Sequence, residues 1–205
     1  MFFFLLSYSI LGAGIKYIDA AFDERTFNKK LAMILAPFLG GLWAYTMFIN
    51  PFSATILLSI LLGVLLKGKI DNIAHLSGVV VIIPVILFLG IELLILPLIF
   101  LVAAALLDEL GNDYIDEHPQ FFNKNKVTLF IDYFFDQRWL LKTSILFLAF
   151  FGLIPYYFFI AMIFFDYAYL TVRYVSEIRQ GKKIGFDQIP LKVKSIFAEE
   201  NLSKN

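Results

Sequence analysis

The stretch Ala74-His-Leu-Ser-Gly-Val-Val-Val-Ile-Ile-Pro84-Val-Ile-Leu-Phe-Leu-Gly90-Ile-Glu92-Leu-Leu-Ile-Leu-Pro97-Leu-Ile-Phe-Leu-Val-Ala-Ala-Ala-Leu-Leu107 holds 34 residues, and Glu92 is its one formally charged side chain. As a single helix it would rise about 50 Å at about 1.5 Å per residue, against a hydrocarbon layer of about 30 Å. It must therefore fold back on itself, and Gly90-Ile91-Glu92 is the expected turn. A chain that crosses and returns within one apolar run is a polytopic membrane protein.

The whole composition agrees. Of 205 residues 60% are hydrophobic, 17% are charged and 24 are Phe, and the mean hydropathy is +0.79. Soluble domains are about 45–50% apolar and about 25% charged, so lipid must solvate much of this surface. Seventeen basic and seventeen acidic residues cancel, which leaves total charge no argument for nucleic acid as a partner. Cysteine is absent, and with it disulfides, thiolate metal sites and thiol nucleophiles.

Working outward from residues 74–107, seven spans are expected: about 2–18, 31–49, 53–66, 74–89, 91–107, 140–154 and 156–174. The predicted fold is an all-α transmembrane bundle of one anchor helix followed by three hairpins. The third and sixth spans are short and would draw on flanking residues or a thinner bilayer. The connections at Asn50-Pro51-Phe52, Gly90-Ile91-Glu92 and Ile154-Pro155-Tyr156 carry no Lys or Arg. With seven spans, all 17 basic residues fall on the other face, which the positive-inside rule makes cytoplasmic. The expectation is an inner (plasma) membrane protein with its N-terminus outside and its C-terminus in the cytoplasm. The first span has its positive charge after the apolar stretch, so it reads as an uncleaved anchor rather than a signal peptide.

This reading gives a membrane domain over residues 1–175, with acidic cytoplasmic loops at 19–30, 67–73 and 108–139, and a cytoplasmic tail over 176–205. Residues 127–139 are too charged to span yet rich in aromatics, which predicts an interfacial helix. A second short surface helix is predicted over Leu191 to Glu200.

Sixteen of the 17 acidic residues fall on the cytoplasmic side, Glu92 excepted. They recur where outside-to-inside helices end, a faint internal repeat. Asp19 and Asp23 are i and i+4 and share a helix face, where two carboxylates repel unless a cation lies between them. Mg²⁺ suits such a pair, because it takes oxygen from one or two carboxylates and completes its shell with phosphate. Asp108 and Asp113 offer the same chemistry from a helix end expected to break at Gly111. Lys67 and Lys69 in the intervening loop would hold a phosphate as point charges. The plainer reading is that all of these are interfacial polar residues. Asp132 and Asp136 repeat the spacing on a helix whose watery side needs charge anyway. Asp166 lies roughly 10 Å of helix rise above Arg173, at a depth where an ionisable group faces a cavity or a partner. His75 and His118 each lack a second histidine at ligand spacing and read as interfacial. No nucleophile elbow, P-loop or dinucleotide fingerprint occurs.

These acid motifs resemble the UbiA superfamily of intramembrane prenyltransferases. Tyr17-Ile-Asp19-Ala-Ala-Phe-Asp23 is similar to that family's first Asp-x-x-x-Asp motif. Asp108-Glu-Leu-Gly111-Asn-Asp113 is similar to its second with one residue inserted, and Lys67-Gly-Lys69 to its basic loop. The family usually has nine spans, and the Asn-Asp that precedes its first motif is missing here. The Asp-Gly-x-x-Ala-Arg core of the CDP-alcohol phosphotransferases is absent. The resemblance implies a Mg²⁺-dependent transferase acting on a prenyl or lipid diphosphate, with Asp19, Asp23, Asp108 and Asp113 on the metal and Lys67 and Lys69 on the diphosphate. Two other classes stay open: a small carrier using Asp166 as its ion or proton site, and a membrane subunit without a site.

Overall fold

The computed structural model describes residues 1–68, 72–118 and 126–181. Among them eight helices and no strand occur: α1 (Phe2–Phe22), α2 (Lys29–Phe48), α3 (Pro51–Leu66), α4 (Ile73–Phe88), α5 (Ile95–Glu117), α6 (Lys126–Asp136), α7 (Trp139–Phe150) and α8 (Tyr156–Arg179). Lys69, Asp71 and the helix expected over 191–200 lie outside the described residues. Four segments are long and apolar enough to cross a membrane: Phe2–Phe22, Lys29–Phe48, Ile95–Ile115 and Tyr156–Arg179. The other apolar helices, α3, α4 and α7, are shorter at 16, 16 and 12 residues.

Asparagines start three of the helices. Asn28 Oδ1 accepts from the N–H of Lys30, Asn50 Oδ1 from Phe52 and Ser53, and Asn72 Oδ1 from His75. Each satisfies N–H groups that an α-helix leaves without an internal partner. Pro51 follows Asn50 at the first helical position, where its missing N–H costs nothing. The turn expected near Gly90 is there, with Gly90 at φ +66, but it is wider than expected and α5 begins at Ile95.

The far end of α5 differs more. A break was expected at Gly111, yet the helix runs on to Glu117. Gly111 serves packing instead: a Cβ there would lie 2.2 Å from Cδ1 of Phe135 on α6. Asp108, Glu109 and Asp113 are thus helical residues, not loop residues. The aromatic stretch after residue 125 forms the 11-residue helix α6, bounded at Asp136 rather than 139.

Six helices close a ring. α1 packs on α2, α2 on α3, α3 on α5, α5 on α7, α7 on α8, and α8 returns to α1. α6 lies against α5 and α7, and α4 against α2. The expected hairpin of α4 with α5 is therefore not a packed pair; α5 crosses to α3 instead. Among the described residues α4 makes no comparable contact with α3 or α5.

Glycines permit the closest crossings, as is common where backbones approach within a membrane. A Cβ on Gly12 of α1 would meet the Phe165 carbonyl of α8 at 2.1 Å, and one on Gly40 of α2 the Gly78 carbonyl of α4 at 2.5 Å. At the end of the bundle near Asn50 the core is aromatic: Tyr8 and Phe158 are fully buried, and Tyr8 shares a hydrogen bond with Ser53 at 3.2 Å. Charge gathers at the opposite end.

Candidate functional site

At that charged end α1 delivers Asp19 and Asp23 from one face. The close α2–α4 crossing at Gly40 and Gly78 brings in the first turn of α4, which carries His75. Its Nε2 lies 2.6 Å from Asp19 Oδ1. A carboxylate on one ring nitrogen fixes the orientation of the imidazole.

The extension of α5 beyond residue 107 supplies two more acids. Asp108 is buried and caps α7 from outside it: its Oδ1 accepts from the N–H of Leu140 at 3.1 Å and its Oδ2 from that of Leu141 at 2.7 Å. The residue in the N-cap position, Arg138, makes no side-chain cap and is left-handed, with φ 50 and ψ 47. Arg138 instead sends its guanidinium to Glu109, Nη2 to Oε1 at 2.8 Å. Burial lowers the Arg138 pKa, but Glu109, then Tyr169, Asp166 and Asp19, more than offset it and raise the group above its ordinary value. Its charge is permanent.

Asp19, Asp23, His75, Glu109 and Arg138 face a cavity of about 380 Å³, within the usual range of about 300–1,000 Å³ for small-molecule sites. Its walls are apolar, with Leu11 and Ile15 from α1, Leu39 and Trp43 from α2, Ile60 and Leu61 from α3, Val79 and Ile82 from α4, and Phe165 from α8. Its polar lining is Asp19, Asp23, His75, Glu109, Arg138 and Tyr169. Three carboxylates thus share this lining with one guanidinium. Such a lining suits an apolar molecule with a charged head, provided that the head brings or binds cations.

The structure divides the residues singled out in the sequence. Asp19 and Asp23 line the cavity; Asp108 and Asp113 do not. Asp113 pairs with Lys67 at 2.7 Å, and Lys69 lies outside the described residues. Asp166 on α8 pairs with the buried Lys142 of α7 at 2.5 Å. It lines a second, much smaller cavity of about 30 Å³ together with Asp108, Glu109 and Arg138. Among the described residues no group of three or more His, Asp or Glu side chains is placed to hold a metal ion. Mg²⁺ needs only one or two carboxylates when phosphate completes its shell, and Asp19 with Asp23 is the pair on the cavity that fits this demand.

Glu109, Arg138 and Tyr169 were not singled out in the sequence, and His75 read there as interfacial. Asp19 and His75 are 56 residues apart, so no local spacing signals their pairing. Comparison with models of protein families, with curated proteins and with solved structures returned no match.

Proposed function

We propose that this chain crosses the membrane seven times, with its charged end in the cytoplasm, and binds a prenyl or lipid diphosphate in the central cavity. The cavity carries the proposal: an apolar chamber of about 380 Å³ with its charged groups in one part of the lining. The hydrocarbon chain would lie among Leu11, Leu39, Ile60 and Val79, and the diphosphate beside Asp19, Asp23, His75 and Arg138. Mg²⁺, which Asp19 and Asp23 would hold, would neutralise the charge of the bound diphosphate. The chain's own part is to orient the lipid, exclude water with the apolar walls and fix His75 through Asp19. The short helices α3, α4 and α7 would complete the seven crossings by local thinning of the bilayer. The carrier reading rests on Asp166, and Lys142 already gives that carboxylate a partner inside the protein.

Ligands that bind only the folded state raise its stability by mass action. In detergent, geranylgeranyl diphosphate with Mg²⁺ should raise the melting temperature of the intact chain. Asp19→Asn and Asp23→Asn should each reduce that rise, while Asp132→Asn on α6 should leave it intact. A parent protein that melts identically with and without lipid and metal would remove the proposal.

A further inference from the structure

Among the described residues Arg138 is the one Lys or Arg in the lining of the central cavity. Lys16 and Lys67 pair with Glu24 and Asp113, and Lys142 with Asp166. The side chain of Arg138 is 43% exposed, whereas that of its partner Glu109 is 5% exposed. A guanidinium has five N–H donors in a fixed fork. The bond to Glu109 runs through Nη2, so one carboxylate oxygen uses a fraction of that capacity. Two local features hold the fork at the cavity wall. Arg138 has a left-handed backbone at the N-cap position of α7 and does not cap it, and Asp108 takes over the capping of Leu140 and Leu141. Neither feature is required merely to neutralise Glu109, which a lysine one turn into a helix could do, as Lys142 does for Asp166.

We propose that Arg138 is the anchor for the phosphate-class head of the ligand, and that Glu109 competes with that head for the same guanidinium. Arginine matches phosphate through paired N–H donors. A phosphate that takes the fork must displace or share it with Glu109, so the carboxylate weakens binding while it holds the arginine in place. This rests on the lipid-diphosphate reading of the cavity for the apolar part of the ligand, but the exchange at Arg138 concerns the head alone and can be measured alone.

The test titrates the intact, detergent-solubilised chain with inorganic pyrophosphate and, separately, with geranylgeranyl diphosphate, both with Mg²⁺, by calorimetry. Arg138→Gln should weaken both ligands at least tenfold, and Arg138→Lys should fall between it and the parent. Glu109→Gln should tighten both about threefold or more, a change of sign that a merely structural ion pair does not produce. The double variant Arg138→Gln/Glu109→Gln removes both charges and should bind as weakly as Arg138→Gln. Glu109→Gln that weakens binding in step with Arg138→Gln, or leaves it unchanged, overturns the proposal. So does a parent that binds neither probe. If the lipid binds and ignores Arg138→Gln, the exchange is wrong and the lipid reading stands. If pyrophosphate responds to both residues and the lipid binds no better than pyrophosphate, the lipid reading fails and the exchange stands.

Discussion

Two arginines have left-handed backbones, Arg25 at φ 56 and Arg138 at φ 50, and the same strain has different meanings at the two places. A non-glycine residue in this region costs roughly 1–2 kcal/mol. Arg25 is exposed in the α1–α2 connection, where glycine would adopt the same angles freely. Relief of that strain, less the roughly 0.5–1 kcal/mol that glycine loses in chain entropy on folding, should leave Arg25→Gly more stable by up to about 1 kcal/mol, seen as a higher melting temperature. Arg138→Gly relieves the same strain but takes the guanidinium away from the buried Glu109, and the loss of that charge partner outweighs the relief. The melting temperature should fall. Equal shifts for the two variants would show that Glu109 does not depend on Arg138. At this scale the sequence was a poor guide. Asp108 reads as a metal ligand because capping is sought within a few residues of a helix start, whereas it caps α7 from 32 residues away.

Among elements, adjacent glycines in α2 make a sharper contrast. Gly40 lies against the backbone of Gly78, and a Cβ there would come within 2.5 Å of a carbonyl oxygen, while Gly41 has nothing within 4 Å of its Cβ position. Gly41→Ala should stabilise the helix by up to about 1 kcal/mol, the propensity difference between the two residues. Gly40→Ala should push α4 off α2, lower the melting temperature and loosen the His75–Asp19 contact. Two variants of the same sign would contradict the crossing. Helix positions were largely legible, because long apolar runs interrupted by Asn-Pro and Gly leave little choice of where the chain turns. The end of α5 was not. A hydropathy reading stops a span at its first charges, but here the charges are matched by groups from other elements: Lys67 for Asp113, Arg138 for Glu109 and the start of α7 for Asp108. The helix continues because its neighbours satisfy it, and no single segment reveals that. The ring has the same cause, since α5 leaves α4 for α3 through Gly63 and Ala105, whose Cβ positions would lie 2.9 Å apart.

For the whole molecule, the separation of charge found along the chain reappears in space. Ion pairs and caps tie the ends of α1, α3, α4, α5, α7 and α8 together at one side, and Glu24 joins the far turns of α1 and α8 through Lys16, Ser176 and Gln180. The opposite connections at Asn50, Gly90 and Ile154 carry no basic residue. A reporter fused after Asn205 should accordingly read as cytoplasmic and one inserted at Pro51 as external. The reversed pattern would place the cavity's polar groups at the wrong face for a cytoplasmic diphosphate.

The packing of α4 chiefly on α2 has a consequence for how binding is to be measured. α3 and α4 both line the cavity with no extensive packing between them among the described residues, and on the proposed lipid reading this is where a ligand would enter from the hydrocarbon side. A lipid that arrives by this route equilibrates with the bilayer and not with the buffer, and its chemical potential follows its mole fraction among the surrounding lipids. In proteoliposomes the half-saturation point should therefore stay constant in mole per cent when the total lipid is doubled at fixed volume, and its apparent molar value should double. A half-saturation point constant in molar units would mean that the ligand arrives through water.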